Sequence, residues 1–116
     1  MAEHDCIFCR IAKGEVPADI VHENERIVAF RDINPQAPVH VVVIPRKHIA
    51  SLAASTAEDV ALLGEVLKAA KEVAEKLDIR ATGYRVVNNC GRDAQQSVQH
   101  IHFHVLGGRH LGWPPG

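Results

Sequence analysis

Three histidines stand on alternate residues near the end of the chain: His100, His102 and His104, separated by Ile101 and Phe103 and followed by Val105. A strand sends successive side chains to opposite faces. The spacing therefore predicts three imidazoles on one face and Ile101, Phe103 and Val105 on the other, where they can fill a core. Three neighbouring imidazoles resist being charged together, and histidine is the usual proton-transfer group near neutral pH. Such a run is either a metal site or a nucleophile with its acid–base partner. A neutral imidazole can also attack an electrophile, with a backbone carbonyl holding its other ring proton and so fixing the tautomer.

Other residues join this run. His40 interrupts an apolar stretch, and with three more histidines downstream a shared network is the better reading than a lone core histidine. Gln95, Gln96 and Ser97 close a polar segment just before the histidines; Gln96 and Ser97 can face whatever His102 attacks, while Gln95 reads as loop solubility. Cys6 and Cys9 have the two-residue spacing of a metal clip or redox pair. A third cysteine, Cys90, has no partner in sequence and is given no role.

The elements that must position these groups follow from pattern. Residues 6–13 suit a short helix ended by Gly14. Strands are expected at 20–22, 27–30, 39–44, 84–88 and 100–106, with a turn at 23–26 and a loop at 32–38 set by two prolines. A long amphipathic helix runs through 60–77. Its buried stripe is expected at Val60, Leu63, Val66, Leu67, Ala70, Val73, Ala74 and Leu77, and Ser55 with Glu58 has capping-box spacing, Thr56 being an alternative cap. The class is α+β: about five antiparallel strands with one long and one short helix.

At 116 residues the chain reads as one domain, 1–116, with 1–5 a flexible N-terminus and 107–116 a C-terminal tail. The composition is that of an ordinary globular protein, 47% hydrophobic and 23% charged, so a core can form without disulfides. A net charge of -1 leaves no footprint for nucleic acid or an anionic membrane. No apolar run approaches a membrane span and the polar start is unlike a signal peptide, so a cytoplasmic location is expected.

The sequence resembles the histidine-triad (HIT) family. His100-Ile101-His102-Phe103-His104 is similar to its signature. The segment from Phe30 through Asp32, Pro35 and Pro38 to His40 resembles the nucleoside-binding stretch of the Hint branch, as do Gln96-Ser97-Val98, Leu106-Gly107-Gly108-Arg109 and Trp113-Pro114-Pro115-Gly116. The likeness spans nearly the whole chain in order.

The resemblance implies a HIT-like fold, forming a two-fold dimer, and a hydrolase of purine nucleoside 5′-phosphoramidates that needs no catalytic cofactor. His102 would be the nucleophile, forming a nucleotidyl-histidine. His104 would contact the phosphate and help deliver a proton, and His40 would belong to the same catalytic histidine network. Ser97 would bind the leaving group or the phosphate. Asp32 would hold the ribose, Asn88 would lie near the ribose and phosphate, Gln96 would also bind substrate, and Ile7, Phe8, Ile11, Phe30 and Ile33 would line the base slot. Trp113 would reach the partner's site. By resemblance to zinc-binding members and to the related galactose-1-phosphate uridylyltransferases, Cys6, Cys9, His48 and His100 would hold a structural zinc; the alternative for His100 is to orient the active site with His40. A Fhit-type dinucleoside polyphosphate hydrolase and a non-catalytic zinc- or nucleotide-binding partner protein are the alternatives. Gln95 departs from the family pattern, which usually has glycine there.

Overall fold

The computed structural model of the chain describes residues 5–116, so the expectation for the N-terminal stretch lies outside the described residues, Asp5 excepted. Five strands form one antiparallel sheet: β1 (Ile20–Glu23), β2 (Ile27–Arg31), β3 (Val39–Pro45), β4 (Tyr84–Val87) and β5 (Phe103–Gly107), in the spatial order β1-β2-β3-β5-β4. The β1–β2 turn is set by Asn24, whose side-chain oxygen accepts from the amides of Arg26 and Ile27 at 2.9 Å each.

The central strands are apolar on both faces, save for Arg31, His40 and His104, because both faces of the sheet are covered. One face of β2, β3 and β5, through Ile27, Ala29, Val41, Val43, Phe103 and Val105, packs with Ile101 against helix α2 (Val60–Lys76). The other face carries Val28, Phe30, Val42 and Ile44, covered by Phe8, Ile11 and Ala12 of the short helix α1 (Ile7–Ala12) and by Ala18. His40 and His104 lie on this second face: Val42 pairs with His104 and His40 with Leu106.

Four expectations need correction. Helix α2 is entered through a 3-10 turn at Ala57–Asp59, and its cap is Thr56 with Asp59: the Thr56 amide donates to Asp59 Oδ2 at 2.8 Å. Ser55 turns back to the Leu52 carbonyl at 2.6 Å and cannot cap it. The buried stripe of α2 is Leu62, Val66, Ala69, Ala70, Val73 and Ala74, while Val60 and Leu67 are 68% and 51% exposed. Ladder pairing in the histidine run begins only at Phe103, although Ile101 still donates to the Ile49 carbonyl at 2.7 Å and the alternation of faces is kept. β5 includes Gly107, so the tail starts at Gly108. Arg109 reaches the Gln36 carbonyl at 2.9 Å and Arg85 that of Gly112 at 2.8 Å. No helix among the described residues is long and apolar enough to cross a membrane.

Candidate active site and metal cluster

Two histidine clusters meet at the start of β5, and hydrogen bonding on the far side of each ring tells them apart. The first gathers Cys6, Cys9, His48 and His100, whose ligand atoms all lie within 4.8 Å of one another. Cys6 caps α1 and accepts from the Cys9 amide at 3.4 Å, which sets both thiols at the helix start. His100 Nδ1 lies 3.4 Å from Cys6 Sγ, 3.5 Å from Cys9 Sγ and 3.2 Å from His48 Nδ1; His48 Nδ1 is 3.2 Å from Cys9 Sγ.

Metal–sulfur bonds of about 2.3 Å and metal–nitrogen bonds of about 2.0–2.1 Å in a tetrahedron place S and N about 3.6 Å apart, and N and N about 3.3 Å apart. Four of the six donor pairs, at 3.2–3.5 Å, lie close to that figure, and all six are within 4.8 Å. The far side of His100 agrees: its Nε2–H donates to the buried Pro45 carbonyl at 2.8 Å, which leaves Nδ1 unprotonated towards the cluster.

The second cluster is Asp32, His40 and His104. Its geometry would also admit a metal, but the protons oppose one. The Gln36 amide can only donate, and it does so to His40 Nδ1 at 3.0 Å. The neutral His40 ring therefore carries its proton on Nε2, where it is given to His104 Nδ1 at 2.8 Å, with Asp32 Oδ2 at 3.4 Å. His104 must then hold its own proton on Nε2. A metal between these rings would have to displace the His40 proton onto Nδ1, against the Gln36 amide. The arrangement is a relay of neutral rings.

Electrostatics favour the same state. Burial lowers the His40 pKa below 6.5 and outweighs the opposing Asp32 charge. Burial, then His102 and His40, push His104 down to about 4. Asp32 stays aligned through the Asn34 amide, which donates to its Oδ1 at 2.8 Å.

His102 lies between the two clusters. Its Nδ1 is 2.8 Å from the His100 carbonyl, which can only accept, so Nδ1 carries a proton and a neutral ring keeps its lone pair on Nε2. This is the tautomer lock expected of a nucleophilic imidazole. Asn88 holds the same segment from the other side, donating through Nδ2 to the His102 carbonyl at 2.9 Å. The Phe8 ring, between the two cysteines in sequence, stands edge-on to His102 at 5.1 Å and to Phe30 at 5.5 Å.

His102, His104 and Ser97 border a cleft of about 450 Å³. All five residues expected to form the base slot line it: Ile7, Phe8, Ile11, Phe30 and Ile33. Asp32 also lines it, and His40 stands behind His104. Val16, Pro17, Ala18, Arg31, Val42 and Val98 complete the wall. The sequence reading gave none of these six a place at the substrate, although Arg31 and Val98 lie within the segments that carry the family resemblance. Val42 was recoverable from its register with His104, whereas 16–18 carry no periodic signal.

Three residues expected at the substrate do not line the cleft. Gln96 has committed its amide to Ala50, Val98 and Gly91. Asn88 serves the His102 backbone rather than the open cleft. Trp113 is 82% exposed and stands outside the cleft of its own chain.

Comparison with known proteins agrees with this architecture. Residues 5–112 match a family model described as scavenger mRNA decapping enzyme C-term binding. A HIT-like protein of Synechocystis is 53% identical over 116 residues, covering 100% of both chains. A crystal structure of a HIT family hydrolase from Legionella pneumophila superimposes with a TM-score of 0.94 at 49% identity, covering 96% of this chain and 99% of that one. A histidine triad nucleotide-binding protein from Candida albicans gives 0.80 at 36% identity, covering 94% and 82%. The chain belongs to the histidine-triad family, and its fold is that of HIT family hydrolases.

Proposed function

We propose that this protein hydrolyses the P–N bond of purine nucleoside 5′-phosphoramidates through a nucleotidyl-His102 intermediate. The observation that carries this reading is the His102 Nδ1–H bond to the His100 carbonyl at 2.8 Å, in a ring that borders the cleft. His102 Nε2 attacks phosphorus, and the P–N bond breaks as the leaving nitrogen takes the electron pair and a proton. The intermediate imidazole is then bonded to phosphorus at Nε2 and protonated at Nδ1. It is cationic, and the His100 carbonyl stabilises that charge. Water attacks next, the P–Nε2 bond breaks, and the nucleoside monophosphate leaves.

The other residues divide the remaining work. The apolar walls take the base, and Asp32, with lone pairs beyond those taken by Asn34 and His40, offers its carboxylate to the ribose hydroxyls. His104 points an N–H at the phosphate. An arriving anion favours the charged form of that ring and raises its pKa, so the substrate itself recruits the acid. Ser97 serves the leaving nitrogen.

Cys6, Cys9, His48 and His100 would hold a structural zinc. A bound zinc would supply a four-coordinate closed tie among α1, the segment after β3 and the approach to β5, with no position left open for chemistry. A second copy of the chain completes the assembly. β4 is an edge strand with Val86 36% exposed, and α2 presents Val60 and Leu67 outward.

The decisive experiment mixes protein with an adenosine phosphoramidate, quenches, and maps adducts by mass spectrometry. A nucleotidyl group on His102, absent in His102→Ala, is expected. Full turnover by His102→Ala overturns the reading. Preference for a diadenosine polyphosphate over the phosphoramidate would instead favour the dinucleoside polyphosphate hydrolase.

A further inference from the structure

The loop that presents Ser97 is held to the body of the protein by the residue before it. Gly91 takes φ 86° and Gln95 takes φ 61°, and the turn between them closes on itself through Gln95 N–H to Arg92 O at 3.0 Å and Gln96 N–H to Gly91 O at 3.1 Å. These bonds shape the loop without attaching it to anything. The attachment is the Gln96 side chain. Its Nε2 donates to the Ala50 carbonyl at 2.8 Å and to the Val98 carbonyl at 3.0 Å, and its Oε1 accepts from the Gly91 amide at 3.0 Å.

From Asn89 to Ser97, among the described residues, no other side chain hydrogen-bonds to the body of the molecule; the nearer attachment, Asn88 to the His102 carbonyl at 2.9 Å, lies where the loop leaves β4. The anchor point is itself fixed, because Ile49, next to Ala50, accepts from Ile101 at 2.7 Å, between the histidines His100 and His102. Gln96 thus refers the loop to the backbone that carries the nucleophile. Ser97, the next residue, is exposed and borders the cleft.

We infer that Gln96 is a positioning residue that holds the Ser97 hydroxyl at the leaving-group side of the reaction. It acts without touching the substrate. The inference rests on the phosphoramidate reading above, because a leaving amine must gain a proton whereas an acidic phenol need not. Misplacing Ser97 should therefore harm one substrate class and spare the other. A residue that merely supports the fold would harm both alike.

The test compares an adenosine phosphoramidate of an alkylamine with the nitrophenyl ester of adenosine monophosphate. The variants are Gln96→Ala, Gln96→Glu, Ser97→Ala and the double variant. Gln96→Glu keeps the size and the acceptor for Gly91 but loses both Nε2 donors, so it carries the test should Gln96→Ala not fold. The expected result is a fall in kcat of about ten- to a hundredfold on the phosphoramidate, the scale for a displaced catalytic group. On the nitrophenyl ester a change under about threefold is expected, with little change in KM for either. In the Ser97→Ala background, replacing Gln96 should add less than about a factor of two.

Equal losses on both substrates, or multiplicative effects in the double variant, overturn the positioning role while leaving the phosphoramidase reading standing. A wild-type protein inert towards the phosphoramidate overturns both.

Discussion

Acid should destabilise this protein through His104 by an amount that one substitution isolates. The ring is pushed down to about 4 by burial first, then by His102 and His40, with Asp32 opposing. His40 faces it from β3, His102 from its own run, and Asp32 from the loop after β2. Above the ordinary value of 6.5 the ring is neutral in folded and unfolded chains alike, so it adds no pH dependence there. As pH falls from 6.5 towards 4, the unfolded chain takes up a proton that the folded chain refuses, and stability falls with it. Below that window both states are protonated and the loss is complete.

The full linkage would be about 3 kcal/mol, and screening of a partly exposed ring reduces it to about 1–2 kcal/mol. Urea titrations from about pH 7.5 to about pH 4.5, on wild type and His104→Asn, read this directly. Acid release of any metal from the cysteine cluster is common to both proteins and cancels in the difference. Wild type should lose about 1–2 kcal/mol more than the variant across the window. Parallel curves for the two proteins would refute the argument that His104 is held neutral by its surroundings. A complementary measurement is proton uptake on binding of adenosine monophosphate near pH 5, because the phosphate should raise the His104 pKa.

Three further outcomes are expected. Purified protein should contain about one zinc per chain, and Cys9→Ala should lose most of it; at free metal about a thousandfold above Kd, the difference in stability is about 4 kcal/mol. Metal-free protein, with unchanged melting in Cys6→Ala, would refute the clip. Gly107→Ala should cost about 1–3 kcal/mol in urea denaturation, because the new Cβ would come within 2.7 Å of Ile79 Cδ1 and 3.2 Å of Ile79 Cβ; a cost under about 0.5 kcal/mol would show that Ile79 yields freely. Gln95→Gly should raise stability by about 0.5 kcal/mol in the same assay, since Gln95 holds φ 61°, where glycine is unstrained; a loss of that size would show that its side chain contributes to the loop.

The fold was legible where period and punctuation agreed. β2 and β3 announced themselves as apolar runs between turn residues, and Gly14 marked the end of α1. The pattern was ambiguous where two apolar faces were available. In α2, Val60 and Leu67 fit the helical stripe as well as Leu62 and Ala69 do, and only the position of the sheet decides between them. The cap misread has a similar cause: Ser55, Thr56, Glu58 and Asp59 offer two capping pairs one residue apart. Asp59 won because its other oxygen is taken by Lys47 at 2.6 Å, a partner 12 residues upstream that local spacing does not reveal.

The site was legible in its residue types and illegible in its protons. Spacing gave the three histidines one face, but their roles are assigned by backbone groups that a sequence does not display. The Pro45 carbonyl makes His100 a donor away from the cluster and leaves its Nδ1 lone pair towards it. The Gln36 amide makes His40 and His104 a relay rather than a metal site. His100 is the hinge of the arrangement, because its ring belongs to the cysteine cluster while its carbonyl fixes the tautomer of His102. Its two functions run through different atoms and do not compete. A substitution such as His100→Cys keeps a thiol at the cluster and the backbone carbonyl together, whereas displacement of the backbone would disturb the His102 tautomer even with every side chain intact. The alternation that first placed three imidazoles on one face is therefore what permits their division: one strand-like segment presents a ring to the cysteine cluster, a ring to the cleft and a ring to the relay.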